Sequence, residues 1–342
     1  VKTSLTYPNI SMPTFFANLV EKFSYKIAII QGNRQISYSQ LFKKSLYLAR
    51  EFIEDGLKPG DRVAICLYNQ IEFVISFYAT LIAGGVVAAV NPTYPAREIK
   101  FQFDIASPKI FIGNRKNLTV IQEIISQSDV EKIYLCDESR DFSIQRTDED
   151  ESKKKQTKNL GDFIIPEIEP DQVAILQFSG GTTGISKAAV GLHRNVIANI
   201  FQFSEWLSPV LQENEVFLTA VPLFHVYGMV IGLNVALNLG ATIVLADGVK
   251  EIEGLVDLIS KHQVSVFPGV PTMFTAFNRY LDSTGKTSQL ASLKVCISGS
   301  APLPMKVKSK FEEFSRSHLV EGYGLSEAPT ATHCNPLVGR NK

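Results

Sequence analysis

The sequence lacks the features that mark disulfide-rich, zinc-binding and secreted proteins. It contains only four cysteines, which lie far apart and form no CxxC pair: Cys66, Cys136, Cys296 and Cys334. This usage argues against a zinc site and a disulfide framework, and it favours a reducing, cytoplasmic environment. The opening residues, VKTSLTYPNISMP, show no charged region followed by an apolar one, so no signal peptide is evident.

The sequence also lacks an excess of either charge. Lysine plus arginine total 34 and aspartate plus glutamate total 34, so the net charge is zero. Because proteins that bind a phosphate backbone usually carry a basic surplus, nucleic acid is not an expected partner. The 45% of hydrophobic and 20% of charged residues indicate a globular protein, and 342 residues allow about two domains or subdomains.

Two long stretches, 73–96 and 216–246, contain no lysine, arginine, aspartate or glutamate. Glycines interrupt both stretches, and β-branched residues follow the glycines. We therefore predict that each forms a buried helix, a glycine turn and a buried strand, and that neither is a transmembrane segment. Peripheral contact with a membrane stays open.

The two glycine turns belong to a weak internal repeat. AGGVVAAVNP at 83–92 and LGATIVLADG at 239–248 each precede a charged helical stretch and then another apolar strand. This order predicts an α/β fold with two similar stacked subdomains, whose largely parallel sheets are flanked by helices. The alternative is that any α/β chain repeats in this way. We place the subdomains at about 60–190 and 15–59 plus 191–340, with the charged run 147–158 as a solvated loop.

The most specific local feature is the loop SGGTTGISK, from Ser179 to Lys187. Its glycines let the backbone bend so that N–H groups turn toward a polyanion, and its hydroxyls and lysine add donors suited to phosphate. The loop is not a Walker A motif, because Ser186 precedes the lysine and Ala188 follows it. We predict strands at 171–178 and 187–192 on either side. A mobile hairpin without a ligand is the alternative.

The loop resembles the phosphate loop of the adenylate-forming superfamily, which includes acyl-CoA synthetases, 4-coumarate–CoA ligases, firefly luciferase and the adenylation domains of peptide synthetases. The family pattern has Ser, Pro and Gly where this chain has Gly180, Ser186 and Ala188. These departures are expected to soften the loop and to remove one hydroxyl donor. Further segments resemble family motifs in the same order: LKPGDRVAI, NPTYPAREI, HRN at 193–195, PLFHVYG at 222–228, PGVPT at 268–272, SGSAPL at 298–303 and EGYGLSEA at 321–328.

The resemblance implies the AMP-binding N-terminal part of a fatty-acid–CoA ligase, which uses ATP and Mg²⁺ to activate a carboxylic acid and then transfers the acyl group to CoA. It implies phosphate contacts from Ser179, Gly180, Gly181, Thr182, Thr183, Gly184 and Lys187. It implies nucleotide contacts from Gly299, Ser300, Ala301, Pro302, Glu321, Gly322, Tyr323 and Gly324. It assigns His225 and Ser326 to the reacting carboxylate and α-phosphate, and Glu327 to catalysis and to Mg²⁺. It suggests an acyl pocket formed by Val226, Tyr227, Gly228, Met229 and Val270.

The resemblance also implies parts that residues 1–342 do not contain. A Thr-Gly-Asp motif that binds the ribose and a C-terminal lid domain with the adenylation lysine are both absent, so we expect this chain alone to make little acyl-AMP. A fatty acid is the first choice of substrate, since 227–240 has no acid to bind an amino group. Two alternatives stay open: a 4-coumarate-like aryl-acid ligase and a non-catalytic nucleotide-binding module. The oligomeric state also stays open. A serine hydrolase is disfavoured, because no GxSxG motif occurs.

Overall fold

The computed structural model describes residues 4–137, 143–147, 163–179, 187–246 and 251–337. The chain divides into two compact units, and each unit contains one sheet. The first unit comprises Val1–Pro8, Tyr25–Ser37 and Asn195–Lys342, and the second comprises Asn9–Ser24 and Tyr38–Arg194. This division differs from the sequence-based one at 15–24 and 38–59, which lie in the second unit because their helices pack against each other and against the helix at Ile71–Ile82.

Ten α-helices form in the described residues. Their bounds are α1 Met12–Phe23, α2 Tyr38–Glu54, α3 Ile71–Ile82, α4 Ala96–Ala106, α5 Arg115–Ser126, α6 His193–Leu207, α7 Ala236–Asn238, α8 Ile252–His262, α9 Pro271–Thr284 and α10 Met305–Ser315. A π-helical segment, Gly228–Val235, runs directly into α7, and a short 3₁₀ helix covers Thr287–Leu290.

Fifteen strands form in the same residues. Their bounds are β1 Ile27–Gln31, β2 Arg34–Ser37, β3 Arg62–Ile65, β4 Val86–Ala89, β5 Ile110–Asn114, β6 Lys132–Asp137, β7 Ser143–Arg146, β8 Val173–Ser179, β9 Lys187–Leu192, β10 Val216–Thr219, β11 Thr242–Leu245, β12 Val266–Gly269, β13 Val295–Ser298, β14 His318–Leu325 and β15 Thr330–Cys334.

Both sheets are parallel in the middle and antiparallel at the edges. The sheet of the first unit has the order β15-β14-β13-β12-β10-β11-β1-β2, and only its outer pairs, β14–β15 and β1–β2, are antiparallel. The sheet of the second unit has the order β7-β6-β5-β3-β4-β8-β9, again with antiparallel outer pairs. The predicted α/β fold with two largely parallel sheets flanked by helices is confirmed.

The internal repeat is confirmed by the strand order. In the second unit β3 lies between β4 and β5, and in the first unit β10 lies between β11 and β12. The glycine turns match as well, since Gly84 and Gly240 both have positive φ, 80° and 65°. This left-handed conformation suits glycine and ends the buried helix before the next strand begins.

The two uncharged stretches fold into the interior of their units. Every residue of α3 is buried, and so is every residue of β4, which explains why this stretch shows no alternation of polar and apolar residues. The stretch 216–246 differs from the prediction in two ways. It begins with an additional strand, β10, and its helical part is mainly π-helical. No helix in the described parts of the chain combines the length and apolar character that crossing a bilayer requires.

Candidate active site

A cavity of about 300 Å³ lies in the first unit, beside residues that follow β10 and β13 and beside the hairpin of β14 and β15. Strands β10, β13 and β14 are mutually parallel members of one sheet, so the segments at their carboxyl ends meet at one edge. The structure thereby brings together ten of the residues named from the sequence: His225, Val226, Tyr227, Gly299, Ser300, Gly322, Tyr323, Gly324, Ser326 and Glu327.

The cavity has both apolar and polar lining. Six residues that the motifs did not identify complete it: Phe203, Ile231, Ile297, Leu325, Thr330 and Ala331. Phe203 lies on α6 and Ile231 on the π-helical segment, where an apolar residue has no local signature that separates a cavity wall from ordinary core. Leu325 lies within the EGYGLSEA motif but received no role from it, and Thr330 and Ala331 follow the motif closely, so proximity to the motif is the only signal for these three residues.

His225 is held in one tautomer. The backbone N–H of Tyr227 donates a hydrogen bond to His225 Nδ1 at 3.2 Å, so Nδ1 is the acceptor and Nε2 carries the proton of the neutral ring. The surrounding cavity wall lowers the pKa of His225 below its ordinary value of 6.5, because desolvation penalises the imidazolium, although the side chain keeps exposed surface. The side chain is therefore a neutral hydrogen-bond donor on the cavity wall.

Tyr227 fills one part of the cavity and is itself buried. Its hydroxyl donates to the backbone oxygen of Ile297 at 2.9 Å, and desolvation raises the pKa of the phenol far above its ordinary value. A Cβ atom on Gly299 would lie 3.1 Å from the Tyr227 ring, closer than normal packing allows. Glycine at 299 thus lets the loop after β13 pass against this ring.

Ser326 and Glu327 occupy the turn between β14 and β15. The turn is closed by the N–H of Ala328, which donates to the carbonyl oxygen of Leu325 at 3.2 Å. Thr330 begins the return strand with φ 86°, an uncommon conformation for a β-branched residue, and its buried hydroxyl has no hydrogen-bond partner in the described structure. The hairpin therefore carries backbone strain close to the two polar residues.

The side chain of Asn199 fixes the outer strand of this hairpin. Asn199 Nδ2 donates to the Ala331 carbonyl oxygen at 2.7 Å, and Asn199 Oδ1 accepts from the Ala331 N–H at 3.1 Å. The amide thus pairs with an edge strand as another strand residue would. Gln202 Oε1 accepts from the same Nδ2 at 3.2 Å, and Gln202 Nε2 donates to the Tyr7 hydroxyl at 2.9 Å.

Other residues named from the sequence lie outside the cavity lining. Glu321 accepts a hydrogen bond from the Leu303 N–H through Oε1 at 2.9 Å, so its carboxylate shapes the loop after β13. Ala301 and Pro302 lie exposed in that loop. Of the acyl-pocket candidates, Gly228 and Met229 are buried in the π-helical segment, and Val270 precedes α9.

The phosphate-loop candidates belong to the second unit. Gly180, Gly181, Thr182, Thr183 and Gly184 lie outside the described residues, and so does Ser186. Ser179 ends β8 and Lys187 begins β9, and these two residues face each other in the antiparallel pair. The strands that were predicted on either side of the loop are confirmed.

His193, the first residue of the HRN motif, is a buried hydrogen-bond acceptor. The N–H of Met12, at the start of α1, donates to His193 Nδ1 at 3.2 Å. Burial lowers the pKa of this histidine to about 4, so it stays neutral at ordinary pH.

The oxygen atoms that the cavity offers fit a magnesium ion that arrives bound to a nucleotide. No group of three or more histidine, cysteine, aspartate or glutamate residues forms a metal cluster in the described portion of the chain. Mg²⁺ commonly binds through one or two carboxylates and substrate phosphates, with water completing its shell. Glu327 offers an exposed carboxylate of this kind at the cavity, next to the Ser326 hydroxyl.

The sequence matches the family model described as AMP-binding enzyme over residues 16–342. The chain belongs to this family. Among curated relatives, a long-chain-fatty-acid–CoA ligase of Bacillus subtilis is 32% identical over 99% of this chain and 64% of its own length. A long-chain-fatty-acid–CoA ligase of Escherichia coli is 26% identical over 97% of the chain and 62% of its own length.

Solved structures support the fold of this chain. A long-chain-fatty-acid–CoA ligase of Archaeoglobus fulgidus has a TM-score of 0.84 at 22% identity, covering 97% of this chain and 67% of that one. The apo MatB protein of Rhodopseudomonas palustris has a TM-score of 0.80 at 24% identity, covering 97% and 63%. The chain thus spans a little under two thirds of the length of the curated ligases that it matches.

Proposed function

We propose that this chain is the nucleotide- and acid-binding N-terminal part of a fatty-acid–CoA ligase. The observation that carries the proposal is the convergence of His225, Ser300, Tyr323, Ser326 and Glu327 on one cavity, although they come from three separated segments. Membership of the AMP-binding enzyme family and 32% identity to a Bacillus subtilis long-chain-fatty-acid–CoA ligase support it.

The proposed reaction has two steps. The carboxylate attacks the α-phosphate of ATP, which forms acyl-AMP and releases pyrophosphate. The thiol of CoA then attacks the acyl carbon, which forms acyl-CoA and releases AMP. Negative charge develops in both steps, so positioning and preorganised donors supply most of the rate enhancement.

The residues of this chain take distinct roles in the proposal. The neutral His225 donates from Nε2 to a carboxylate or α-phosphate oxygen, and Ser326 provides a second hydroxyl donor. Tyr323 and the glycines beside it face the adenine. Glu327 would hold Mg²⁺, which neutralises phosphate charge when it is bound. Ser179 ends β8 and Lys187 begins β9, and these two strands flank the proposed phosphate loop.

The acid is proposed to be a fatty acid. The apolar side chains of Phe203, Val226, Ile231 and Ile297 line the cavity, and the segment 227–240 contains no acidic residue. These apolar side chains suit a hydrocarbon tail, and the segment 227–240 offers no carboxylate to an amino group.

A second candidate is an aryl-acid–CoA ligase. A 4-coumarate–CoA ligase 1 of Narcissus pseudonarcissus is 29% identical over 93% of this chain and 58% of its own length. A flat ring packs against Tyr227 and Phe203 as readily as an alkyl chain does. We favour the fatty acid because of the higher identity to the Bacillus subtilis ligase.

The test is ATP–pyrophosphate exchange by the full-length protein that carries this chain, with straight-chain acids of increasing length and with 4-coumarate. We expect the highest kcat/KM with a fatty acid, and a requirement for Mg²⁺. A preference for 4-coumarate selects the second candidate. A full-length protein that binds ATP and activates no acid would instead be a non-catalytic nucleotide-binding module.

The isolated chain 1–342 serves as the companion sample. Because it lacks the Thr-Gly-Asp motif and the lid lysine, we propose that it binds nucleotide weakly and exchanges pyrophosphate poorly. Exchange at the rate of the full-length protein would refute this part of the proposal. Its cellular location is proposed to be the cytoplasm, which fractionation of cells that express the full-length protein would test.

A further inference from the structure

The π-helical segment Gly228–Val235 is an unusual wall for a cavity. All eight residues are buried, and the segment begins three residues after His225. Ile231, in the middle of the segment, lines the cavity. π-Helical turns are rare and short, and they occur frequently at functional sites. Specific contacts should therefore stabilise the π-helical conformation of this segment.

Two buried polar side chains bond to the backbone of this segment. Asn234 Nδ2 donates to the carbonyl oxygen of Met229, five residues earlier, at 2.7 Å. The hydroxyl of Thr219, at the end of β10, donates to the carbonyl oxygen of Gly232 at 2.7 Å. Both side chains are fully buried, so each bond satisfies groups that would be costly to leave unpaired in this interior.

Two glycines let the segment approach its neighbours closely. A Cβ atom on Gly228 would collide with the carbonyl group of Pro222, in the PLFHVYG motif. A Cβ atom on Gly232 would lie 2.8 Å from Cγ2 of Thr219. The segment is thus held against β10 on one side and against the loop that carries His225 on another.

We propose that Thr219 and Asn234 are positioning residues that keep this segment π-helical, and that they thereby set which acids the cavity accepts. Their hydrogen bonds hold the carbonyl groups of Gly232 and Met229 in the π-helical turn, which is wider than an α-helical one. This conformation places Ile231 on the cavity wall. The inference deepens the proposed function, because it assumes that the tail of an acid contacts the apolar part of this wall.

The proposal predicts a selective effect. If the side-chain bonds are removed, the segment can relax toward the ordinary helix with i→i−4 bonds, and Ile231 turns about the helix axis. The apolar wall then changes shape. Tyr323, Ser326 and Glu327 belong to the hairpin of β14 and β15, so these three residues, which are proposed to meet the adenine, the α-phosphate and Mg²⁺, stay in place.

The experiment compares Thr219→Val with Thr219→Ser in the full-length protein. Valine keeps the branched shape and removes the hydroxyl, whereas serine keeps the hydroxyl and removes the methyl group. We expect Thr219→Val to change the ratio of kcat/KM between a short and a long fatty acid at least fivefold, with the KM for ATP within twofold of wild type. Thr219→Ser should retain the wild-type ratio.

Asn234→Leu is the second variant and should change the chain-length ratio in the same way. The proposal would be overturned if kcat/KM fell by the same factor for all acids. It would also be overturned if the ratio of kcat/KM between the short and the long fatty acid stayed unchanged in both Thr219→Val and Asn234→Leu. If either variant unfolds at the assay temperature, the ratio measured with the other one decides.

Amide hydrogen exchange separates this inference from the proposed function. The backbone N–H groups of 228–235 should exchange faster in Thr219→Val than in Thr219→Ser, whichever acid is the substrate. Equal exchange in the two variants contradicts the positioning role even if the protein is a ligase. Faster exchange in a protein that activates no acid leaves the positioning role intact and rejects the proposed function.

Discussion

The carbonyl oxygen of Thr330 occupies the space that a Cβ atom on Gly324 would need. The two residues lie at the irregular point of the hairpin, where the register of β14 and β15 shifts between Tyr323 and Gly324. The family resemblance implies that Gly324 contacts the nucleotide. The structure gives a separate reason for glycine at this position, because the return strand itself excludes a side chain there.

Replacement of Gly324 by alanine should therefore destabilise the hairpin. We expect Gly324→Ala to lower the free energy of unfolding by about 1–3 kcal/mol, because the strands must move apart to admit the methyl group. Urea unfolding measures this loss. The matched control is Gly254→Ala in α8, where nothing lies within 4 Å of the new Cβ atom and alanine should raise stability by about 1 kcal/mol. Equal stabilities of the two variants would contradict the argument.

Loss of the Asn199 amide should loosen the strand that follows Glu327. Asn199→Ala removes both hydrogen bonds to Ala331 and leaves the edge of β15 unpaired there, at a cost of about 1–3 kcal/mol. We also expect the full-length protein to need more Mg²⁺ for half-maximal pyrophosphate exchange. Gln202→Ala is the control, since it keeps both bonds to Ala331. If both variants raised the Mg²⁺ requirement by the same amount, the hydrogen bonds between Asn199 and Ala331 would not be the cause.

His225 should act through its fixed Nε2–H donor. We expect His225→Gln to lower the kcat of acyl-AMP formation on the order of 10²-fold, with a small change in the KM for ATP. Stopped-flow or pyrophosphate-exchange assays measure this loss. Replacement of the exposed His318 by glutamine serves as the control. Near-normal exchange by His225→Gln would exclude the proposed donor role.

The same histidine predicts the shape of the acid limb of the pH profile. Because desolvation lowers the pKa of His225 in the folded protein, its neutral form predominates to a lower pH than that of an ordinary histidine. The midpoint of the fall in rate should therefore lie below the ordinary histidine value. A midpoint at or above pH 6.5 in a plot of kcat against pH would show that another group controls this limb.

His193 should make folding stability depend on pH. Its pKa is about 4 in the folded protein against an ordinary value of 6.5, so protonation favours the unfolded chain. Its contribution is complete above pH 6.5 and is lost as the pH falls toward 4. The loss is roughly 3 kcal/mol at most. Urea unfolding at pH 7.5 and pH 5 should show a smaller difference for His193→Gln than for wild type.

The strands and glycine turns could be predicted because their signals are local. A buried parallel strand appears as an uninterrupted apolar run, and Gly84 and Gly240 mark where each helix must stop. The strand β10 was missed because the whole of 216–246 was treated as one uncharged stretch, and the proline at 222 was not used to divide it.

The site was only partly predictable, since some of its contacts join distant residues. His225, Gly299 and Tyr323 belong to motifs, and the sheet brings those motifs to one edge. Asn199 and Ala331 are 132 residues apart, and a single asparagine in a helix gives no indication of such a partner. The π-helical form of Gly228–Val235 was not predicted either, because it depends on contacts with Thr219 and Pro222.

The matching strand orders and turn glycines have a practical consequence. Gly84 and Gly240 occupy equivalent positions in two sheets of the same chain, and only the unit of Gly240 contains the cavity described above. The same substitution can therefore be made once in each unit of a single molecule. The difference between the two losses of stability shows how far the packing of each unit, beyond the left-handed turn that both share, constrains this position.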